Sequence, residues 1–283
     1  MIWKLIFNLT RHFFAKLMTD KTSFRDLLNS RKSNHVFSKE GVDEVMWKKI
    51  TDLINHWDSK SEFTNMTVRL HFHDNKLGAS DFSGELGWVI GSYFSPNDKS
   101  REYLYQMEVA YRLFKLSIDL QRIGVASCFA TYSMDEVKAT ELSKPFHSME
   151  FSAPIALVIG IASTKGSIIS KFKGWLTSDS YRVPLDQLLI EPEQSSKFVV
   201  GKVRDALTLA TRAPSIGNMQ TWRVLAKDGK IDFYAVSEVP EKFFNLGCFI
   251  AAYDIAAKGL KLKGSWKNSS HIDIEGDYGI SFI

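Results

Sequence analysis

Residues Arg31-Lys32-Ser33-Asn34-His35 place two fixed cations, a hydroxyl and an imidazole within one short stretch. A phosphate group takes several charge-assisted donors at once, and arginine presents them in a fork that matches its oxygens. The plainer reading is a solvated basic turn after a helix. A second grouping runs from Ala213 to Trp222, APSIGNMQTW. There Pro214 breaks a helix, and Ser215, Asn218 and Gln220 follow among small residues. Exposed backbone amides with Ser and Asn side chains could satisfy the oxygens and nitrogens of a flat heterocycle. The same residues are also what ordinary loops contain. No convincing nucleophile or general base stands out. His71 and His73 share one face of a strand beside Asp74, but no third ligand has metal-site spacing, and a half-buried edge pair is the reading adopted. Cys128 reads as a small buried hydrophobe rather than a redox thiol. His147 and Trp175 read as structural.

The elements that must position these residues follow from periodicity and turn chemistry. Phe24, Leu27 and Leu28 predict a helix that ends in the basic stretch, and helical spacing returns over 42–57. Alternation predicts strands at 68–73 and 87–94. Leu104, Met107, Ala110, Phe114 and Ile118 predict a helix over 103–123, stopped by Gly124. A strand near 126–131 and a helix opened by the capping box at Ser133 come next. The nearly continuous apolar run 153–163 predicts a central strand. Residues 164–195 read as a long connection. A helix marked by Val199, Val203, Leu207 and Ala210 must end before Pro214, and Asp228-Gly229 predicts a hairpin over 222–236. A helix over 247–260 and a terminal strand near 278–283 complete the pattern, so both parts of the chain are α+β.

Composition narrows the partners. Lys and Arg number 36 against 32 Asp and Glu, a net charge of +4, and no long basic run exists, so nucleic acid is not an expected partner. The two cysteines, Cys128 and Cys248, are far apart, which suits a reducing compartment and argues against zinc or disulfide frameworks. Residues 2–18 form an apolar stripe with basic residues between. One reading lays that helix on a membrane surface. The other packs it on the protein's own core or on a second copy of the chain. Only six residues separate Lys4 from Arg11, too few for a signal-peptide core, and the expected location is cytoplasmic.

Four stretches together resemble the nitroreductase family of flavoproteins. APSIGNMQTWRVL is similar to its APSxxNxQPWRF signature, and Arg31-Lys32-Ser33-x-His35-x-Phe37 to its opening RRSxRxF segment. Tyr181-Arg182-Val183-Pro184-Leu185 is similar to the late basic segment that adds a phosphate contact. Residues 123–137, IGVASCFATYSMDEV, are similar to the passage that runs past the flavin ring.

The resemblance implies an α+β nitroreductase-like fold with mixed or antiparallel sheets flanked by helices, and an FMN cofactor. It implies phosphate contacts from Arg31, Lys32, His35 and Arg182, and further cofactor contacts from Ser33, Ala130, Thr131, Pro214, Ser215, Asn218 and Gln220. Phe129 and Trp222 are candidates for an aromatic wall. The flavin would carry electrons from NAD(P)H to a small aromatic, nitro or quinone-like acceptor, with no catalytic side chain of the protein's own. The two signature motifs lie about 180 residues apart and neither recurs. That arrangement resembles a single-chain tandem branch of the family, a pseudo-dimer with one FMN site between its halves. The expected units are an N-terminal amphipathic helix (1–21), a first half (22–163), a connecting segment (164–195) and a second half (196–283).

Three positions depart from the family pattern. His35 stands where a third Arg is usual, Thr221 where Pro follows Gln, and Asn245 where an acidic residue is often found. They leave a second reading open, a cofactor-free relative that acts as a binding or scaffold protein, held to a membrane through residues 2–18.

Overall fold

A computed structural model describes residues 22–59, 63–74, 77, 82–131, 134–143, 151–163, 181–268 and 279–283. The expected helix over 2–18, Ser133, His147 and Trp175 lie outside them. The chain begins with α1 (Phe24–Ser30), α2 (Glu44–Ser59), β1 (Val68–His73), β2 (Gly87–Phe94) and α3 (Glu102–Arg122). It continues through β3 (Val125–Ala130), α4 (Glu136–Ser143) and β4 (Phe151–Ile161). The rear part holds α5 (Leu185–Leu188), α6 (Pro192–Phe198), α7 (Gly201–Ala210), β5 (Trp222–Lys227), β6 (Lys230–Ala235), α8 (Lys242–Gly259), β7 (Trp266–Asn268) and β8 (Gly279–Phe282).

Two four-stranded antiparallel sheets form, ordered β1-β2-β4-β3 and β5-β6-β8-β7. The same order recurs because each sheet is built the same way. A hairpin pairs the first two strands, a long helix follows, and the last strand returns between the second and the third. In both, the last strand is paired on each side and lies at the centre of its sheet. Val158 and Ile159 of β4 are accordingly sealed from solvent, as is Ile280 of β8.

The long helices α3 and α8 pack against each other between the sheets. Thirteen residues of α8 are buried, from Phe244 to Ala257, because the helix is apolar on every side. Its close approach to α3 depends on Gly247, where a Cβ would meet the Met107 carbonyl oxygen at 2.4 Å and Ala110 Cβ at 2.9 Å. Gly247→Ala should therefore push the helices apart and cost about 1–3 kcal/mol. A denaturant midpoint equal to that of the parent would show that the backbones yield freely.

Two buried polar networks tie these helices down. Asp254 of α8 accepts from the Tyr111 hydroxyl at 2.9 Å, the Trp266 indole at 3.3 Å and the Lys115 ammonium, and pairs with Lys258 at 2.9 Å. Glu108 of α3 accepts from Arg112 Nε at 2.7 Å and from the Thr64 amide and hydroxyl, both at 2.8 Å. Both carboxylates are almost wholly buried, where an ionised group must be paired and fully hydrogen-bonded.

The structure departs from the expected pattern in four places. α8 begins at Lys242 rather than 247, since its first turn has no polar stripe to mark it. The connection over 164–195 carries two short helices in its described part, α5 and α6. The helix after β3 is capped by Asp135, whose Oδ1 accepts from the Lys138 amide at 3.0 Å. Finally, α1 crosses to the rear elements. The Phe24 ring lies where a Cβ on Gly259 would be 2.3 Å away, and Arg25 pairs with Asp205 of α7 at 3.0 Å.

Candidate functional site

The segment after α1 is laid along the first sheet. The Asn34 amide donates to Ser127 O of β3 at 3.2 Å, and the Ser38 amide to Ile161 O of β4 at 2.7 Å. Phe37 fills the space over Gly160, where a Cβ would be 2.7 Å from its ring. This anchoring leaves Lys32 exposed and Arg31, Ser33 and His35 half-buried. His35 stacks on Phe82 with centroids 5.2 Å apart and places Nε2 3.7 Å from Cys128 Sγ. Its ring thus lies against β3, two residues before Ala130, and Thr131 follows at the strand end.

The second grouping is a hydrogen-bonded knot. Arg182 Nη1 donates to Asn218 Oδ1 at 2.7 Å and to Tyr181 O at 3.0 Å. Asn218 Nδ2 donates to Tyr181 O at 3.2 Å, and the Gln220 amide to Ser215 Oγ at 3.0 Å. The loop achieves this with left-handed backbone at Gly217, Asn218 and Gln220, φ 59°, 55° and 49°. Glycine and asparagine tolerate that region best. Of the predicted residues, Arg182, Ser215, Asn218 and Gln220 are therefore brought together, with Pro214 at the entrance to the loop.

Helix α8 connects the two groupings. Asn245 Oδ1 accepts from the Ile216 amide of the loop at 2.8 Å. One helical turn on, Cys248 is pushed up to about 12 by burial, against the opposing charge of Arg31. Helix α1, which leads into Arg31, packs on the same helix through Phe24 at Gly259, so both groupings are tied to α8 although 184 positions separate Arg31 from Ser215. Two of the departures from the family pattern meet here as well. Asn245 Nδ2 donates to Thr221 Oγ1 at 3.2 Å, so each supplies the partner that the other needs in a buried place.

Three of the candidate residues have buried side chains. The Gln220 side chain is buried, and its amide is used within the protein: Oε1 accepts from the Val183 amide at 2.9 Å, and Nε2 donates to Tyr181 O and Asn218 O, both at 3.3 Å. It holds Arg182 and Asn218 in place. Ala130 packs into an apolar cluster with Phe37 and Trp88. Trp222 is fully buried and stacked on Phe249 at 4.8 Å, a core residue rather than an exposed aromatic wall. The sequence offered no sign that the Tyr181 carbonyl collects three donors, because backbone acceptors leave no signature in residue type.

These elements define the nitroreductase class of fold. A solved structure of a "putative nitroreductase" from Thermotoga maritima MSB8 covers 93% of this chain and 94% of its own, with TM-score 0.60 and 12% identity. A family model described as "Putative TM nitroreductase" matches residues 24–257, and the chain belongs to that family. A structure from Exiguobacterium sibiricum 255-15, described as a "putative nitroreductase in complex with FMN", covers 59% of this chain and 95% of its own, with TM-score 0.43 and 10% identity. One from Staphylococcus epidermidis ATCC 12228, described as a "putative NAD(P)H:FMN oxidoreductase", covers 59% and 94%, with TM-score 0.43 and 12% identity. No curated protein sequence matches the chain. Among the described residues, no helix is long and apolar enough to cross a membrane.

Proposed function

We propose that this chain is an FMN-dependent oxidoreductase that passes electrons from NAD(P)H to a small aromatic, nitro or quinone-like acceptor. In this reading the chain is a single-chain pseudo-dimer with its flavin between the halves. The observation that carries it is that α8 ties both groupings together: Asn245 holds the loop of the Arg182–Asn218 knot, and α1, which leads into Arg31, packs on the same helix at Gly259. The donor set fits the group. Arg31, Lys32 and Arg182 are three fixed cations for one phosphate, and Nε and Nη1 of Arg31 and Nε of Arg182 are buried, where a charge-assisted contact is strongest.

The bound flavin would supply the two-electron chemistry. The protein's residues bind and orient it. Arg31, Lys32 and Arg182 neutralise the phosphate, with His35 behind them. Ser33, Ser215, Asn218 and Thr131 offer short polar contacts to the ribityl chain and ring. Gln220 and Asn245 fix the loop that presents Asn218. Tyr181 and Met219, large exposed apolar side chains beside the knot, offer a flat acceptor a surface to stack on. The two buried free cysteines suit the cytoplasm, where we place the protein.

The visible spectrum of the purified protein tests this. Bands near ~370 and ~450 nm that persist in a heat-released chromophore identified as FMN are expected. A colourless protein that also fails to bind added FMN overturns the reading. Asn218→Gly keeps the left-handed backbone and removes the amide. It should weaken FMN by about 1–3 kcal/mol, the cost of a lost buried hydrogen bond. An unchanged dissociation constant in a fluorescence titration would remove Asn218 from the site.

A further inference from the structure

The loops that enter the first strand of each sheet can be laid side by side. Asn65 and Asn218 both adopt left-handed backbone, φ 59° and 55°. Each is followed by methionine and then by a threonine just before the strand: Asn65-Met66-Thr67 into β1, and Asn218-Met219-Gln220-Thr221 into β5. In each half a buried side chain of the long helix accepts a backbone amide of that loop. Asn245 of α8 takes Ile216 N at 2.8 Å, and Glu108 of α3 takes Thr64 N at 2.8 Å. Four residues along each helix, the next side chain meets the first residue of the strand. Phe249 stacks on Trp222 at 4.8 Å, whereas Arg112 donates to Val68 O at 3.4 Å.

We infer that loop 63–67 is the counterpart of loop 215–221 and that the Glu108–Arg112 pair seals it, so the chain takes one flavin and not two. The inference rests on the flavin reading proposed above. Asn245 is neutral and needs no cation, which leaves the rear loop free to direct Asn218 toward Arg182. Glu108 is a buried carboxylate and needs one. Arg112 supplies it and also takes Asp58 O at 2.9 Å and Met66 O at 3.4 Å. The guanidinium thereby ties the front loop inward by its own carbonyls. Charge acts in the same direction. The segment leading into α2 opens with Arg31 and Lys32 and carries Lys39 against Glu40 and Asp43, whereas the one leading into α7 opens with Glu191 and Glu193 against Lys197. A phosphate brought to the front loop in the corresponding way would meet carboxylates.

The test titrates the full chain, stripped of flavin, with FMN while hydrogen exchange is followed over both loops. One equivalent is expected, with protection gained over 215–220 and none over 63–68. Asn65→Gly should leave the dissociation constant within about twofold, while Asn218→Gly raises it about fivefold or more. Two equivalents, equal protection at both loops, or matching losses in the two variants overturn the inference and leave the flavin reading standing. No uptake by the parent protein overturns both.

Discussion

Asp254→Asn is expected to lower stability by about 3–5 kcal/mol, the cost of breaking a buried ion pair. Lys115 is almost wholly buried, with its ammonium 5.0 Å from the Tyr111 ring centroid and 5.7 Å from that of Trp57. Those rings attract it but do not neutralise it, and the Asp254 carboxylate does. An asparagine keeps the shape and leaves a buried cation without its counter-charge. For a chain of this size the loss corresponds to a melting temperature lower by roughly 10 °C. Lys258, the other cation on Asp254, is largely exposed, and Lys258→Met should cost under about 1 kcal/mol. Equal losses in the two variants would show that the pair at the helix interface is not what holds α3 to α8.

The same carboxylate gives a pH dependence of definite sign. Burial pushes Asp254 up, but Lys115 and then Lys258 outweigh it, and the group sits below its ordinary value. A carboxylate depressed in the folded state stabilises it above the unfolded value of about 3.9 and loses that contribution as pH falls further. The parent protein should therefore lose stability below about pH 4. Asp254→Asn should show a shallower acid slope, and parallel slopes would exclude this group as the source.

The second large effect concerns the phosphate. Arg31→Ala with Arg182→Ala should weaken FMN at least ~100-fold, since each charge-assisted contact is worth about 1.5–3 kcal/mol. Arg182 also holds Asn218, so part of the loss comes through that amide. The variant pair Arg31→Lys and Arg182→Lys separates charge from geometry. It should recover part of the affinity, because lysine keeps the charge but not the planar fork. Circular dichroism and the melting temperature of the flavin-free forms check that the fold survives. Unchanged FMN affinity in the alanine pair would mean that the phosphate lies elsewhere.

Much of the fold and part of the candidate site were legible in residue order, where local rules suffice. The apolar spacing from Leu104 to Ile118 marked α3, since a one-sided stripe at helical period has few other uses. Asp228-Gly229 marked its hairpin, and both residues adopt the left-handed backbone that such a turn requires, φ 53° and 75°. The Arg31 and Ser215–Gln220 groupings stood out because each puts several polar side chains close together in sequence, and the second is the hydrogen-bonded loop that the structure shows. The start of α8 was hidden because a helix buried on all sides has no stripe, and β7, three residues long, is too short to alternate.

What only the tertiary structure decided is which distant residues meet. Nothing local sends α1 across to α7 and α8, assigns the amide of Gln220 to Val183 and Tyr181, or pairs Thr221 with Asn245. Nor does it reveal that Glu108 and Asn245 each accept a backbone amide of the loop before β1 or β5, one paired with a cation and one without. Each choice depends on burial shared between segments tens to hundreds of residues apart. A buried polar group must find its partner wherever the packed core brings one, and no pattern in the neighbouring residues records where that will be.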